Sequence, residues 1–236
     1  NSSDEILKAF RDVRSEINKK IMPRYFNQTI SHNYLIKNIP DYLSDNSTGA
    51  YYMMPSYDNS RKGVFYLDTS NIKGNPKYQT MVLSLHEGNP GHHYQLTSCI
   101  DNKIPKFLLY IMHNTAYIEG WGLYCENFID KNDYLNEYGR LNYEMIRAVR
   151  LVVDTGIHYY GWNYKKAYNY YDKYCLSSEK ETDNAILRFI ANPGQALSYK
   201  IGELFINNLR DKFLKKNNDI KAFHTYFLKN GPLPLC

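Results

Sequence analysis

Little in this 236-residue chain departs from an ordinary folded protein, and each scarcity removes a class of function. Cysteine is sparse. The four, Cys99, Cys125, Cys175 and Cys236, form no CxxC pair and no dense pattern, so isolated buried thiols are expected rather than a disulfide scaffold. No apolar run approaches the roughly 20 residues that span a bilayer, and no charged-then-apolar leader opens the chain, so no membrane span is expected. The net charge of +5, from 29 basic and 24 acidic residues, is scattered, without the basic stripe of a nucleic-acid binder. Internal repeats and low-complexity tracts are missing too.

What is present suits a packed core. Hydrophobic residues make up 43% and charged residues 22%, too apolar for disorder. Aromatic content is high at 15%, with 24 Tyr. Single cores grow to roughly 250 residues, so residues 1–236 are read as one domain. The opening, Asn1 to Glu5, is polar and abrupt, as expected where an upstream leader or domain has been removed. Localisation therefore stays open between cytoplasm and export. Sequons at Asn1, Asn27 and Asn46 carry little weight in an Asn-rich chain.

Hydrophobic periodicity gives the architecture. Ile6, Phe10, Val13 and Ile17 recur at helical spacing and predict a helix from Asp4 to about Phe26, with Ser3 as N-cap. Residues 27 to 50 show no period, and Ser44 to Gly49 is turn-rich, which reads as a loop. Ala50 to Met54 and Gly63 to Thr69 flank a polar connection and predict a β-hairpin. Such a hairpin is marginal alone and must pack on the helices or pair with strands outside this chain. Helices are then expected over Tyr78–His86, Phe107–Phe128, Tyr138–Tyr160, Tyr164–Tyr174, Glu179–Phe189, Gly194–Leu214 and Ala222–Leu228. The fold class is mainly α, with one small sheet before the helix that carries the first motif.

That motif is HEGNPGHHYQ, where His86, Glu87, His92 and His93 place four metal-capable groups in eight residues. Zinc peptidases of the common kind set two histidines at i and i+4 with a glutamate beside the first as general base. Here Pro90 takes the i+4 place, and an unbroken helix would turn His92 about 240° away from His86. Pro90 and Gly91 both disfavour a regular helix, so a break between Gly88 and Gly91 is expected to bring His92 round. His93 is the competing ligand. Seven residues of ideal helix return it to the face of His86, although about 10 Å along the axis.

A third ligand is expected from another helix. Glu119 stands among Tyr117, Ile118, Trp121 and Leu123, and acids seldom sit unpaired in such company. A buried salt bridge is the plainer alternative. Glu126, seven residues on, shares its face and suits orienting a ligand histidine. Along RAVRLVVDTGIH, the residues Arg147, Arg150, Asp154 and His158 form a polar stripe at spacings of three, four and four. It is either a structural ion network or part of the site, with Asp154 orienting His158 and an arginine receiving a substrate carboxylate. In NPGQALSYKIG, Gln195, Tyr199 and Lys200 follow a Pro-Gly helix start, and Tyr199 is a candidate donor to a developing oxyanion.

The blocks HEGNPGHHYQ, IEGWGLYCE, RLVVDTGIHYYGW and NPGQALSYKIGEL resemble the signatures of the domain-of-unknown-function 885 family, and the likeness runs from the first helix to NGPLPL. The resemblance implies a zinc-peptidase-like protein related to the gluzincins and similar in pattern to thermostable carboxypeptidases. It implies a zincin-like helical catalytic domain, the C-terminal half of a longer protein whose N-terminal helical region is a missing partner. Carried over residue by residue, it implies one zinc ion on His86, His92 and Glu119, with Glu87 as base. His92 is preferred to His93 because Gly91 precedes it. His158 and Tyr199 are implied as oxyanion stabilisers.

The expected activity is hydrolysis of peptide bonds, as a carboxypeptidase, dipeptidase or oligopeptidase, through attack of zinc-bound water assisted by Glu87. An extended substrate is expected to add as a strand to Val64–Leu67, with Arg147, Arg150 or Lys200 reading a terminal carboxylate and Gln195 beside them. Two rivals stand next to it: hydrolysis of a non-peptide amide, and a catalytically inactive metal-binding or interaction domain.

Overall fold

The computed structural model describes residues 2–27, 32–40, 42, 49–58, 60–70, 72–111 and 114–235. The sequon positions Asn1 and Asn46, most of the turn-rich stretch from Ser44, and Cys236 lie outside these residues. Among the described residues no helix is long and apolar enough to cross a membrane.

Helix α1 (Ser3–Glu16) starts on a capping box. The Ser2 hydroxyl accepts from the Glu5 amide while the Glu5 carboxylate accepts from the Ser2 amide at 3.0 Å. The cap is thus Ser2, one residue before the expected Ser3, because only Ser2 has Glu at the third helical position that a reciprocal box needs. The chain continues through a π-helical turn (Ile17–Ile21) into α2 (Met22–Tyr25), burying Ile6, Phe10, Ile17 and Ile21.

The sheet corrects the sequence reading. Among the described residues it has three strands, not two: β1 (Tyr34–Asn38), β2 (Ala50–Met53) and β3 (Gly63–Leu67), in the order β1-β3-β2. The β2–β3 pair is the expected antiparallel one, and β1 joins the other side of β3 in parallel, with Ile36 opposite Phe65. Parallel pairing is non-local and leaves no turn signal, which is why residues 34 to 38 read as loop. Tyr34 and Ile36 face inward, and Phe10 meets Phe65 edge-on at 5.6 Å. Each fully buried side chain of this size contributes on the order of 2 kcal/mol.

Nine helices follow among the described residues: α3 (Tyr78–Glu87), α4 (His92–Asp101), α5 (Lys106–Tyr110), α6 (Thr115–Cys125), α7 (Tyr134–His158), α8 (Tyr164–Tyr174), α9 (Glu179–Ala191), α10 (Ser198–Asn217) and α11 (Ile220–Lys229). The helix expected over Phe107–Phe128 is divided. Asn114 caps a fresh start by accepting from the Tyr117 amide at 3.0 Å, and a 3-10 turn (Glu126–Phe128) ends that segment. Asp133, Asn163, Ser178 and Asp219 cap α7, α8, α9 and α11 with side-chain oxygens, as the short-polar preference at helix starts requires. Trp121, fully buried, centres the main core with Phe26, Tyr94 and Phe223 around it. Cys99, Cys125 and Cys175 are buried free thiols.

Helices α6 and α10 approach closely enough for backbone contact. A methyl group on Gly120 would stand 2.5 Å from the Gly202 Cα, so only glycine fits at that crossing. This contact brings Tyr199, one turn before Gly202, up to the residues of α3.

Candidate metal centre

The break expected in HEGNPGHH is present: α3 ends at Glu87, α4 begins at His92, and residues 88 to 91 redirect the chain. Gly91 is essential to the geometry, because any Cβ there would overlap the carbonyl oxygens of His86 and Leu85. The Trp121 indole N–H donates to the Pro90 carbonyl at 2.8 Å and ties the break to α6. His92 thereby comes back to His86, with ring centroids 4.7 Å apart and planes at 85°.

Glu119 completes the cluster. Its Oε2 lies 3.5 Å from His86 Nε2 and 3.5 Å from His92 Nε2. The three ligand atoms fall within 4.8 Å of one another. Two imidazole nitrogens and one carboxylate oxygen are a donor set that suits zinc and other divalent ions. Glu119 is the most exposed of the three, at 18% of its side chain. Glu87 is buried beside His86 at the last residue of α3.

Behind the ligands, α6 and its 3-10 turn hold His86 in place. Nδ1–H of His86 donates to Glu126 Oε1 at 2.7 Å, which turns Nε2 toward the cluster. Arg147 Nη2 donates to the same Glu126 oxygen at 3.0 Å, neutralising a carboxylate that is 1% exposed. Gly122 leaves room for the imidazole edge, since a Cβ there would stand 2.7 Å from His86 Cε1. Burial pulls the His86 pKa down, but the carboxylates of Glu119, Glu126 and Glu87 outweigh it and raise it to about 10. Burial also opposes ionisation of Glu119, yet the two imidazoles hold its carboxyl well below the usual range. The site is negative enough to keep a proton on His86 above neutral pH, and the same field favours a divalent cation. His92 Nδ1, by contrast, is buried without a hydrogen-bond partner among the described residues.

Several expected site residues are not part of the three-residue cluster. His93 is not brought to the cluster: Nε2–H donates to the His32 carbonyl at 3.2 Å, so Nδ1 accepts from the Tyr52 hydroxyl at 2.7 Å, and both ring nitrogens are used. A full seven-residue helical return never occurs, because the chain breaks after Glu87. Arg147 spends its charge on Glu126 rather than on a ligand. Lys200 lies between Glu144 and Glu203 in ion pairs, so it too is engaged. Asp154 accepts from the Gly194 amide at 3.2 Å and braces the Pro-Gly turn instead of orienting His158. His158 donates from Nε2 to the Phe189 carbonyl at 2.8 Å and sits eleven residues after Arg147, roughly 16 Å along the α7 axis.

Tyr199 is brought in. Its ring stacks toward His86 at 6.3 Å and 24°, and the Arg150 guanidinium lies 4.6 Å from its centroid. The hydroxyl receives donors from Arg188 Nη2 at 3.2 Å and Gln195 Nε2 at 3.4 Å. Arg188 was missed in the sequence, where it looks like one more charge on an amphipathic helix. The nearby Asn-Pro-Gly turn, which folds Gln195 and Tyr199 back toward α9, was its only cue. The strand Val64–Leu67 cannot accept an added peptide, because β3 is central and both of its edges are paired.

The family of bacterial proteins of unknown function known as DUF885 matches the chain over residues 1–236. A crystal structure of a protein from Colwellia psychrerythraea, described as a "putative lipoprotein", is similar at 35% identity and a TM-score of 0.92, over 98% of this chain and 41% of that one. A second, from Shewanella oneidensis, described as a "putative lipoprotein of unknown function", shares the fold at 20% identity and a TM-score of 0.77, over 98% and 44%. The chain thus spans less than half the length of these solved relatives. No curated protein matches it. The chain belongs to the DUF885 family.

Proposed function

We propose that this DUF885 member is a zinc-dependent hydrolase of peptide bonds, with a zincin-like arrangement of its catalytic helices. The observation that carries the reading is the convergence of His86 Nε2, His92 Nε2 and the Glu119 carboxylate within 4.8 Å, with Glu87 next to the first ligand. The donor set fits zinc, and the hydrogen bond from His86 Nδ1–H to Glu126 is the carboxylate–histidine support that metal-ligating imidazoles usually have. Zinc held there would supply Lewis acidity and would make water a stronger acid near neutral pH.

The chain's own residues supply the rest. Glu87 takes the proton of the attacking water and passes it to the leaving amine. Tyr199 accepts hydrogen bonds from Arg188 and Gln195, so its own O–H proton is free to be given to the oxyanion of the tetrahedral intermediate. Arg147 and Glu126 fix His86 and touch no substrate. An extended peptide adding to the sheet would pair with β1 or β2, the two edge strands. The partners named by this reading are a peptide substrate and the further region that the longer relatives carry.

The test is Glu87→Gln. It is expected to retain zinc at one equivalent and to lose peptide cleavage by about 10²- to 10⁴-fold, the usual contribution of a general base. A variant that keeps zinc and cleaves as fast as the wild type contradicts the assignment.

A further inference from the structure

Two guanidinium groups beside Tyr199 have no acidic partner among the described residues. Among the described residues Arg147 pairs with Glu126, Arg140 with Glu137 and Arg210 with Asp211, but neither Arg150 nor Arg188 has a carboxylate within salt-bridge distance. Arg150 is half-buried, and its Nε is a buried donor without a hydrogen bond. Arg188, also half-buried, spends one N–H on the Tyr199 hydroxyl. Partly desolvated positive charge of this kind is costly unless an anion completes it, and guanidinium forks match a planar carboxylate bidentately.

The position of the pair relates it to the ligand cluster. His86 and Tyr199 are 6.3 Å apart by ring centroid, and Arg150 is 4.6 Å from the Tyr199 ring. At most about three extended residues, at roughly 3.5 Å each, span the two steps together. An anionic group held there would lie a short peptide segment away from a carbonyl at His86, His92 and Glu119.

We infer that Arg150 and Arg188 form a carboxylate-binding subsite that receives the free C-terminus of the substrate. The inference rests on the proposed function and deepens it: the hydrolase removes a short C-terminal segment and discriminates against blocked ends. Neither arginine touches the reacting atoms; both are specificity residues. Arg147 also lies 5.7 Å from the Tyr199 ring, but its charge, like that of Lys200, is already engaged in an ion pair.

The experiment uses zinc-loaded Glu87→Gln protein, which binds without turnover, and calorimetric titration with an N-blocked dipeptide carrying a free carboxylate and with its C-terminal amide twin. The acid is expected to bind at least about tenfold more tightly, the scale of a charge-assisted hydrogen bond. Arg150→Gln and Arg188→Gln should each reduce that ratio toward one, and Arg188→Lys should restore part of it. Loss of packing alone would weaken acid and amide equally, so the ratio reads the subsite. Equal affinity of the two ligands in the parent protein, or no measurable binding of the acid, overturns the inference. Zinc content measured on the same samples reports on the metal site separately, and the same titration on metal-free protein shows whether the acid preference persists without zinc.

Discussion

Replacing Gly122 by alanine displaces His86, a ligand in the proposed metal site, without removing a single polar group. The new Cβ would meet His86 Cε1 at 2.7 Å, Nε2 at 2.8 Å and Nδ1 at 3.0 Å, all ring atoms of the first ligand. Reaching an ordinary 3.4 Å contact requires the imidazole to retreat by about 0.7 Å in a close-packed interior. Metal-ligand distances tolerate only about 0.2 Å, and the same shift stretches the 2.7 Å bond to Glu126. Loss of a ligand's orientation costs about 10- to 100-fold in affinity, or roughly 1.4 to 2.7 kcal/mol. Helix propensity works the other way, since alanine in place of an interior glycine stabilises by up to about 1 kcal/mol. The expected signature is therefore weakened metal binding in a protein whose fold is little changed. Competition against a chromophoric chelator gives the zinc affinity, and denaturant unfolding of the metal-free protein gives the stability. Gly120→Ala is the contrast, because its Cβ meets the Gly202 backbone and lowers stability by forcing α6 from α10. Zinc affinity within twofold of wild type for Gly122→Ala would refute the reasoning.

Three further predictions concern the surroundings. Glu126→Gln leaves Arg147 as a buried charge without its counter-ion, a loss of about 3 to 5 kcal/mol read by denaturant midpoint, and adding Arg147→Met should recover stability but not zinc affinity. Unchanged stability in the single variant would mean that the pair is not buried as described. His93→Gln should keep one equivalent of zinc while losing roughly 1 to 3 kcal/mol of stability, since its ring serves Tyr52 and His32; loss of zinc would return it to the ligand set. Burial pushes the His224 imidazole down to about 4, with its nitrogens bonded to the Tyr25 carbonyl and the Tyr124 hydroxyl. A folded-state value below the ordinary 6.5 means that this stabilisation is complete above pH 6.5 and is lost as pH falls through 4, by about 3 kcal/mol. Urea midpoints between pH 7 and pH 4 should fall less steeply in His224→Gln, and parallel slopes would contradict this.

The parts of the site legible in the sequence are those whose signal is local. Pro90 and Gly91 announce a helix break by their backbone chemistry, and that break returns His92 to His86. Glu119 and Glu126 stood out as acids in an apolar segment, and seven-residue spacing put them on one face. What failed depends on contacts between distant segments. β1 lacked a hairpin partner next to it, and its neighbour β3 lies about 30 residues on in parallel. Lys200 looked free because nothing near it in sequence except Glu203 shows the pair with Glu144, 56 residues away. Arg188 became visible only when the turn at Asn192–Gly194 folded Tyr199 onto α9. His93 was a candidate only on an unbroken helix, and the break that rescues His92 removes it.

In the proposed function His86, His92 and Glu119 bind one divalent ion. Diffraction from zinc-soaked crystals, recorded on both sides of the zinc absorption edge, tests it most directly. A single anomalous peak is expected about 2.0 to 2.2 Å from Nε2 of both imidazoles and from the Glu119 carboxylate, with one coordination place left for solvent. No peak at that position, or a peak bound by a fourth protein side chain, would contradict it.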